Sequence, residues 1–111
     1  MDTQTRYQSL IKNILLDYAQ YKPASEAIVR KVVFDDVQKN YILLDLGWEG
    51  EKQVHDCLIH VEMKGDTFWI HCDGTEDGVA TELLDVGVPK ENIVLAFHHP
   101  KLRPYTGFAI A

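Results

Sequence analysis

The chain lacks every motif that cradles phosphate on backbone N–H groups: it has neither a G-x-x-x-x-G-K-[ST] loop nor a G-x-G-x-x-G run. Cysteine is scarce. Cys57 and Cys72 are too few for a disulfide-stapled scaffold and fit a pair of reduced thiols in a reducing compartment. No apolar run approaches the roughly 20 residues that span a bilayer, and Met1 to Tyr7 lack the basic-then-apolar order of a secretory leader. A cytoplasmic location with no membrane partner is therefore expected. Positive charge is also short, with 11 Lys and Arg against 17 Asp and Glu and a net charge of -6. Affinity for nucleic acid comes from cations that neutralise phosphates, so tight direct binding of DNA or RNA is not expected.

What remains is an ordinary globular composition, 46% hydrophobic and 25% charged over 111 residues, with no low-complexity tract, linker or internal repeat. One domain spanning 1–111 with a single modest core is expected. In "TQTRYQSLIKNILLDYAQYK", Tyr7, Leu10, Ile11, Ile14, Leu15 and Tyr18 recur at spacings of three and four, which predicts an amphipathic helix stopped by Pro23. "AIVRKVVFDD" is β-branched and reads as a strand, but Arg30 and Lys31 fall on opposite sides and leave its inner face open. "NYILLDLGW" is apolar on both sides: Ile42, Leu44, Leu46 and Trp48 alternate with Tyr41, Leu43 and Asp45. The glycines of "GWEGEK" supply a turn into "QVHDCLIHVEMK", where Cys57, Ile59, Val61 and Met63 share one side.

Lys64-Gly65-Asp66-Thr67 is a hairpin signal, since glycine at the first central position suits a two-residue type II′ turn. That register places Val61 opposite Ile70, Ile59 opposite Cys72 and His60 opposite His71, and it sets Cys57 diagonally from Cys72, roughly 7 Å away. Such a separation is long for a disulfide. "DGTEDGVATELLDVGVP" predicts a second helix, opened by Asp73 or Thr75 and closed by Gly87, with Val79, Ala80, Leu83 and Leu84 inward. "ENIVLAF" is a buried strand or a packed extended segment. The expected fold is α+β: an N-terminal helix, an antiparallel sheet of about four strands, and a second helix and C-terminal extended segment, with the helices on one sheet face. The other face carries Leu58, His60, Glu62, Trp69 and His71, a half-polar mixture.

Chemistry has few footholds. His60 and His71 meet across the hairpin and Glu62 lies diagonal to them, but a metal site needs three or four converging ligands and the spacing matches no zinc signature. Two half-exposed histidines on a sheet face are the plainer expectation. Cys57 and Cys72 point to the apolar side, where burial makes a thiol inert. The carboxylates of "GTEDG" sit where helix openings want them. No catalytic residue and no cofactor are assigned, and the chain is not expected to be an enzyme. Arg103, Tyr105 and Phe108 are residue types enriched at interface centres, and the first two lie in the proline-stiffened loop "HPKLRPYTG". The half-apolar open face, with Trp69 and Trp48, predicts association with a partner or with a second copy.

The segments "LDLGWEG", "CLIHVEMKGDTFWI" and "DGTEDGVATELLDVGVPKENIVLAFHHPKLRPYTGFAIA", following a tyrosine-rich opening helix, resemble the XisI-type fdxN element excision controlling factors along essentially the whole chain. The resemblance implies a cyanobacterial-type accessory protein in programmed DNA element excision during heterocyst development. It also implies action beside a site-specific recombinase complex and a nuclease-like XisH-type partner. It supplies no catalytic residues. Where the family often reads "FHPP", this chain has Phe97, His98, His99 and Pro100. Two other readings stand beside it: an antitoxin-like inhibitor of a paired nuclease, and a metal-binding or enzymatic module on His60, His71 and Glu62.

Overall fold

The computed structural model describes all residues except 1, 2, 22, 24, 77 and 111, so Lys22 of the first helical segment, Ala24 of "PASE" and Asp77 of "GTEDG" lie outside the described residues. Elements run α1 (Thr3–Ala19), β1 (Ile28–Asp35), β2 (Asn40–Glu49), β3 (Lys52–Lys64), β4 (Thr67–Asp73), α2 (Val79–Asp85) and β5 (Ile93–Leu95). The sheet order is β1-β2-β3-β4-β5. The first four strands form an antiparallel meander, and "ENIVLAF" contributes a fifth strand, parallel to β4 and reached through α2. The fold is α+β, as expected, with a mixed sheet. No helix among the described residues is long and apolar enough to cross a membrane.

Both helices cover one sheet face. Tyr7, Ile11, Ile14 and Leu15 of α1 and Val79 and Leu83 of α2 are buried against Tyr41, Leu43, Ile59, Val61, Met63, Phe68 and Ile70. Each such side chain contributes roughly 1.5–3 kcal/mol by leaving water. The cluster therefore decides which side of each strand turns inward. On β2 it selects Tyr41, Leu43 and Asp45, because Tyr41 and Leu43 stand opposite the buried Val61 and Ile59 of β3. The equally apolar Ile42, Leu44, Leu46 and Trp48 are left on the open face.

The ambiguity at Arg30 and Lys31 resolves in the same way. Arg30 turns inward and sits directly opposite Asp45, to which it donates two hydrogen bonds of 2.8 and 3.1 Å. Its remaining donors reach the carbonyls of Tyr21 at 2.9 Å and Tyr18 at 3.5 Å. A strand arginine thus closes the C-terminal end of α1, where cations are favoured, and the helix ends at Ala19, before Pro23. Gly47 is not a turn residue: it lies inside β2 opposite Ile28, and the Gly50-Glu51 turn follows it.

Asp73 opens α2, as the sequence suggests, but from a distance. Its carboxylate accepts from the N–H of Val79 at 2.7 Å and from the N–H and hydroxyl of Thr75, whose oxygen in turn accepts from Gly78 N–H. Gly87, at a left-handed φ of 96°, closes the helix. Its N–H reaches the Leu84 carbonyl and that of Val88 reaches Leu83, both at 3.0 Å.

Candidate functional site

The surface that the helices do not cover is the open sheet face. β1 presents Val29, Lys31 and Val33, β2 presents Ile42, Leu44, Leu46 and Trp48, and β3 and β4 add Cys57, His60, Glu62, Trp69 and His71. Val29, Val33 and Trp48 are exposed, and Ile42, Leu44, Leu46 and Trp69 are half-buried.

Two bulges reshape the β3 side of this face and correct the expected hairpin register. Lys64 faces Thr67 and Val61 faces Ile70 as expected, and Gly65 at φ 60° with Asp66 outside the left-handed region fits the type II′ turn. Beyond Val61 the register slips, so that His60 is opposite Cys72 and Ile59 opposite Asp73, with His71 the extra residue. On the other edge of β3, Leu43 faces Ile59 but Leu44 faces Cys57, which makes Leu58 an extra residue. A bulge leaves two residues opposing one and interrupts the alternation of faces. Leu58 therefore packs against the core instead of lying on the open face, while Cys57 and Cys72 leave the core side where the alternation put them.

The slip does not separate the histidines. The His60 and His71 rings lie 5.0 Å apart at 48°. His60 Nε2 hydrogen-bonds Asn40 Oδ1 at 2.8 Å, and His71 Nε2 meets Glu62 Oε1 at 2.9 Å. Burial, then the neighbouring His71, hold His60 below its ordinary range, and Glu62 partly offsets them. Among the described residues no three His, Cys, Asp or Glu side chains form a group that could hold a metal ion.

Trp48 and Trp69 do not form one cluster. Trp48 is 54% exposed and pairs with Gln53, whereas Trp69 pairs with Glu62, nine positions further along β3 (62 − 53) and roughly 30 Å away. Trp69 is clasped by two cations, with Lys64 Nζ 4.0 Å and the Arg103 guanidinium 5.5 Å from its ring centre. Arg103 also donates to the carbonyls of His98 at 3.2 Å and Ala96 at 3.3 Å, which anchors the proline loop to its own domain. Tyr105, at 86% exposure, is held out to solvent, as is Leu102. Phe108 packs on the core, and Ala109 bridges Val94 and donates to the Ile93 carbonyl at 2.9 Å. Of the five interface candidates, Trp69 and Arg103 are brought together, Trp48 and Tyr105 stand free at separate places, and Phe108 is mainly structural.

Sequence reasoning missed the Arg30–Asp45 pair, whose partners are 15 residues apart and meet only once β1 and β2 are in register. Beside it lies a cleft of about 420 Å³ walled by Tyr18, Tyr21, Leu58 and Glu76. Arg30 lines this cleft with four of its five N–H donors committed to Asp45, Tyr18 and Tyr21.

The XisI protein family model matches residues 1–110. Two solved structures from Anabaena variabilis ATCC 29413 share the fold at 31% identity. One, a XisI-like protein, has a TM-score of 0.91 over 96% of this chain and 98% of its own. The other, the fdxN element excision controlling factor XisI, has a TM-score of 0.87 over 99% of this chain and 100% of its own. No curated protein matches the sequence.

Proposed function

Because the chain belongs to the XisI family, we propose that it is a cytoplasmic, non-enzymatic accessory protein that controls recombination or nuclease activity on DNA through protein contact. Its partner is a nuclease-like XisH-type protein, within or beside a site-specific recombinase complex. The observation that carries this reading is the open sheet face. Val29, Val33, Ile42, Leu44, Leu46 and Trp48 form an apolar surface, interrupted by Lys31, on the side away from the helices, and such a surface marks an interaction site. The net charge of -6 supports the same division of labour. It favours encounter with a basic protein surface and disfavours a grip on phosphates.

The test is co-purification with the genomic neighbour of XisH type, comparing the native chain with Leu44→Glu and Trp48→Glu. Trp48 is exposed and Leu44 half-buried on the face away from the helices, and thermal melts check that both variants are folded. The native chain retains the partner and the variants release it. Equal retention by all three, or tight binding of the element's ends by the purified chain alone at physiological salt, overturns the reading.

A further inference from the structure

Cys57 and Cys72 are the reactive groups that the proposed function leaves unused. In an unbroken register they would be diagonal neighbours on the core side. The extra residues Leu58 and His71 instead put both on the open face, with the Cys72 thiol donating to the Cys57 carbonyl at 3.1 Å. Cys57 is exposed and donates its own S–H to the Ile59 carbonyl at 3.5 Å, while Cys72 is half-buried beneath it. The two thiols also act directly on one another. Neither belongs to the packed core.

We propose that Cys57 and Cys72 form a dithiol that closes to an intramolecular disulfide by exchange with a low-molecular-weight disulfide such as oxidised glutathione. The Cys57 thiolate attacks one glutathione sulfur. A bond forms between them, the glutathione S–S bond breaks, and the departing glutathione thiolate takes up a proton equivalent to the one Cys57 lost. The Cys72 thiolate then attacks Cys57 Sγ and expels the second glutathione thiolate, which is protonated in turn. Two protein thiols are oxidised to one disulfide, and one glutathione disulfide is reduced to two thiols. Cys57 makes the first attack because solvent reaches it, and Cys72 resolves the adduct because its thiol already lies 3.1 Å from the Cys57 carbonyl oxygen. Burial and the adjacent Cys72 push the Cys57 thiol above its ordinary value, so closure is slow at neutral pH and accelerates as pH rises. The product ties β3 to β4 beside His60 and His71 and alters the surface offered to a partner.

The experiment is incubation of the folded chain with oxidised glutathione at pH 7 and pH 9, followed by alkylation and non-reducing peptide mapping. Both thiols should disappear together into a Cys57–Cys72 linkage, faster at the higher pH, and the second step, from the Cys57 glutathione adduct to the disulfide, should run at least about tenfold faster in the folded chain than in urea. Cys72→Ser should stop at a glutathione adduct on Cys57. The proposal is overturned by a lasting glutathione adduct on the native chain, by a chain-to-chain disulfide or by unreacted thiols at pH 9. It is equally overturned by an adduct-to-disulfide step as fast in urea as in the folded state, a comparison that needs no variant.

Discussion

At the scale of single residues, the strongest constraint is Gly47. A Cβ built there would lie 2.0 Å from the Ala27 carbonyl oxygen, at a φ of 153° that side chains rarely adopt. The obstacle is backbone and cannot swing away. Gly47→Ala should cost about 2 kcal/mol or more in urea denaturation, whereas the alanine change at Gly50, with nothing within 4 Å, meets only its left-handed φ and should cost about 1 kcal/mol. Equal losses would show that close approach to β1 is not the constraint. His60 carries a pH dependence whose sign follows from its depressed folded value. The unfolded chain binds that proton more readily, so the associated stability is fully present above the ordinary value of 6.5 and is lost as pH falls through the lower folded value. Asn40, Glu62, His71 and Cys72 surround it. His60→Gln should flatten the midpoint-against-pH curve below 6.5 in thermal melts, and an unchanged slope would locate the acid sensitivity elsewhere. Tyr41 acts at the other extreme: burial and its hydrogen bond to Asp36 push it up to about 12, so alkaline destabilisation sets in between 10 and 12 and should shrink in Tyr41→Phe, with Tyr18, also raised by burial, keeping a remainder.

At the scale of elements, α1, the β3–β4 hairpin and α2 are legible in the sequence because each is specified locally. The apolar residues of α1 recur at helical spacing, Gly65 starts its turn, and Asp73 and Gly87 bracket α2. Arg30 and the inner side of β2 are not legible, because opposing positions are equally apolar and the choice depends on Asp45 and Ile59, partners supplied by neighbouring strands. The two bulges escape for a related reason. An extra residue changes which side a cysteine faces without leaving any mark in composition, so the alternation that correctly buries Ile59, Val61 and Met63 fails at Cys57 and Cys72. For the same reason the pairing of His60 with His71 is legible only as proximity. The apolar ending, by contrast, is legible in part: Phe108 packs on the core and Ala109 bridges Val94 of β5, while Ile110 is exposed. Asp73 tests the element logic directly. Its carboxylate accepts the first N–H of α2 and also organises Thr75, so Asp73→Ala should lower stability by about 1–2 kcal/mol, with α2 showing the larger loss of amide protection. A uniform loss across the sheet would mean that α2 does not open separately.

At the scale of the whole molecule, two properties meet on different parts of the surface. The open sheet face carries Val29, Val33, Ile42, Leu44, Leu46 and Trp48, and its described Asp, Glu, Lys and Arg side chains are Lys31, Asp35, Glu62 and Lys64, with Arg103 over Trp69. Most of the 17 carboxylates therefore lie elsewhere and act at long range. This separation divides the kinetics of the proposed partner complex. Long-range charge steers the encounter and is screened beyond roughly 10 Å at 0.1 M salt, while the apolar contact, once made, controls dissociation. Raising the salt from about 0.05 to 0.5 M should thus slow association with the XisH-type protein several-fold and leave its dissociation rate nearly unchanged. Leu44→Glu should do the reverse in kind, accelerating dissociation at every salt concentration while leaving the thermal midpoint intact, because Leu44 faces away from the helices. If salt instead altered only dissociation, or Leu44→Glu lowered the thermal midpoint along with binding, the open face would be part of the domain's own packing, and the acidic partner-binding surface would have to lie on the helical side.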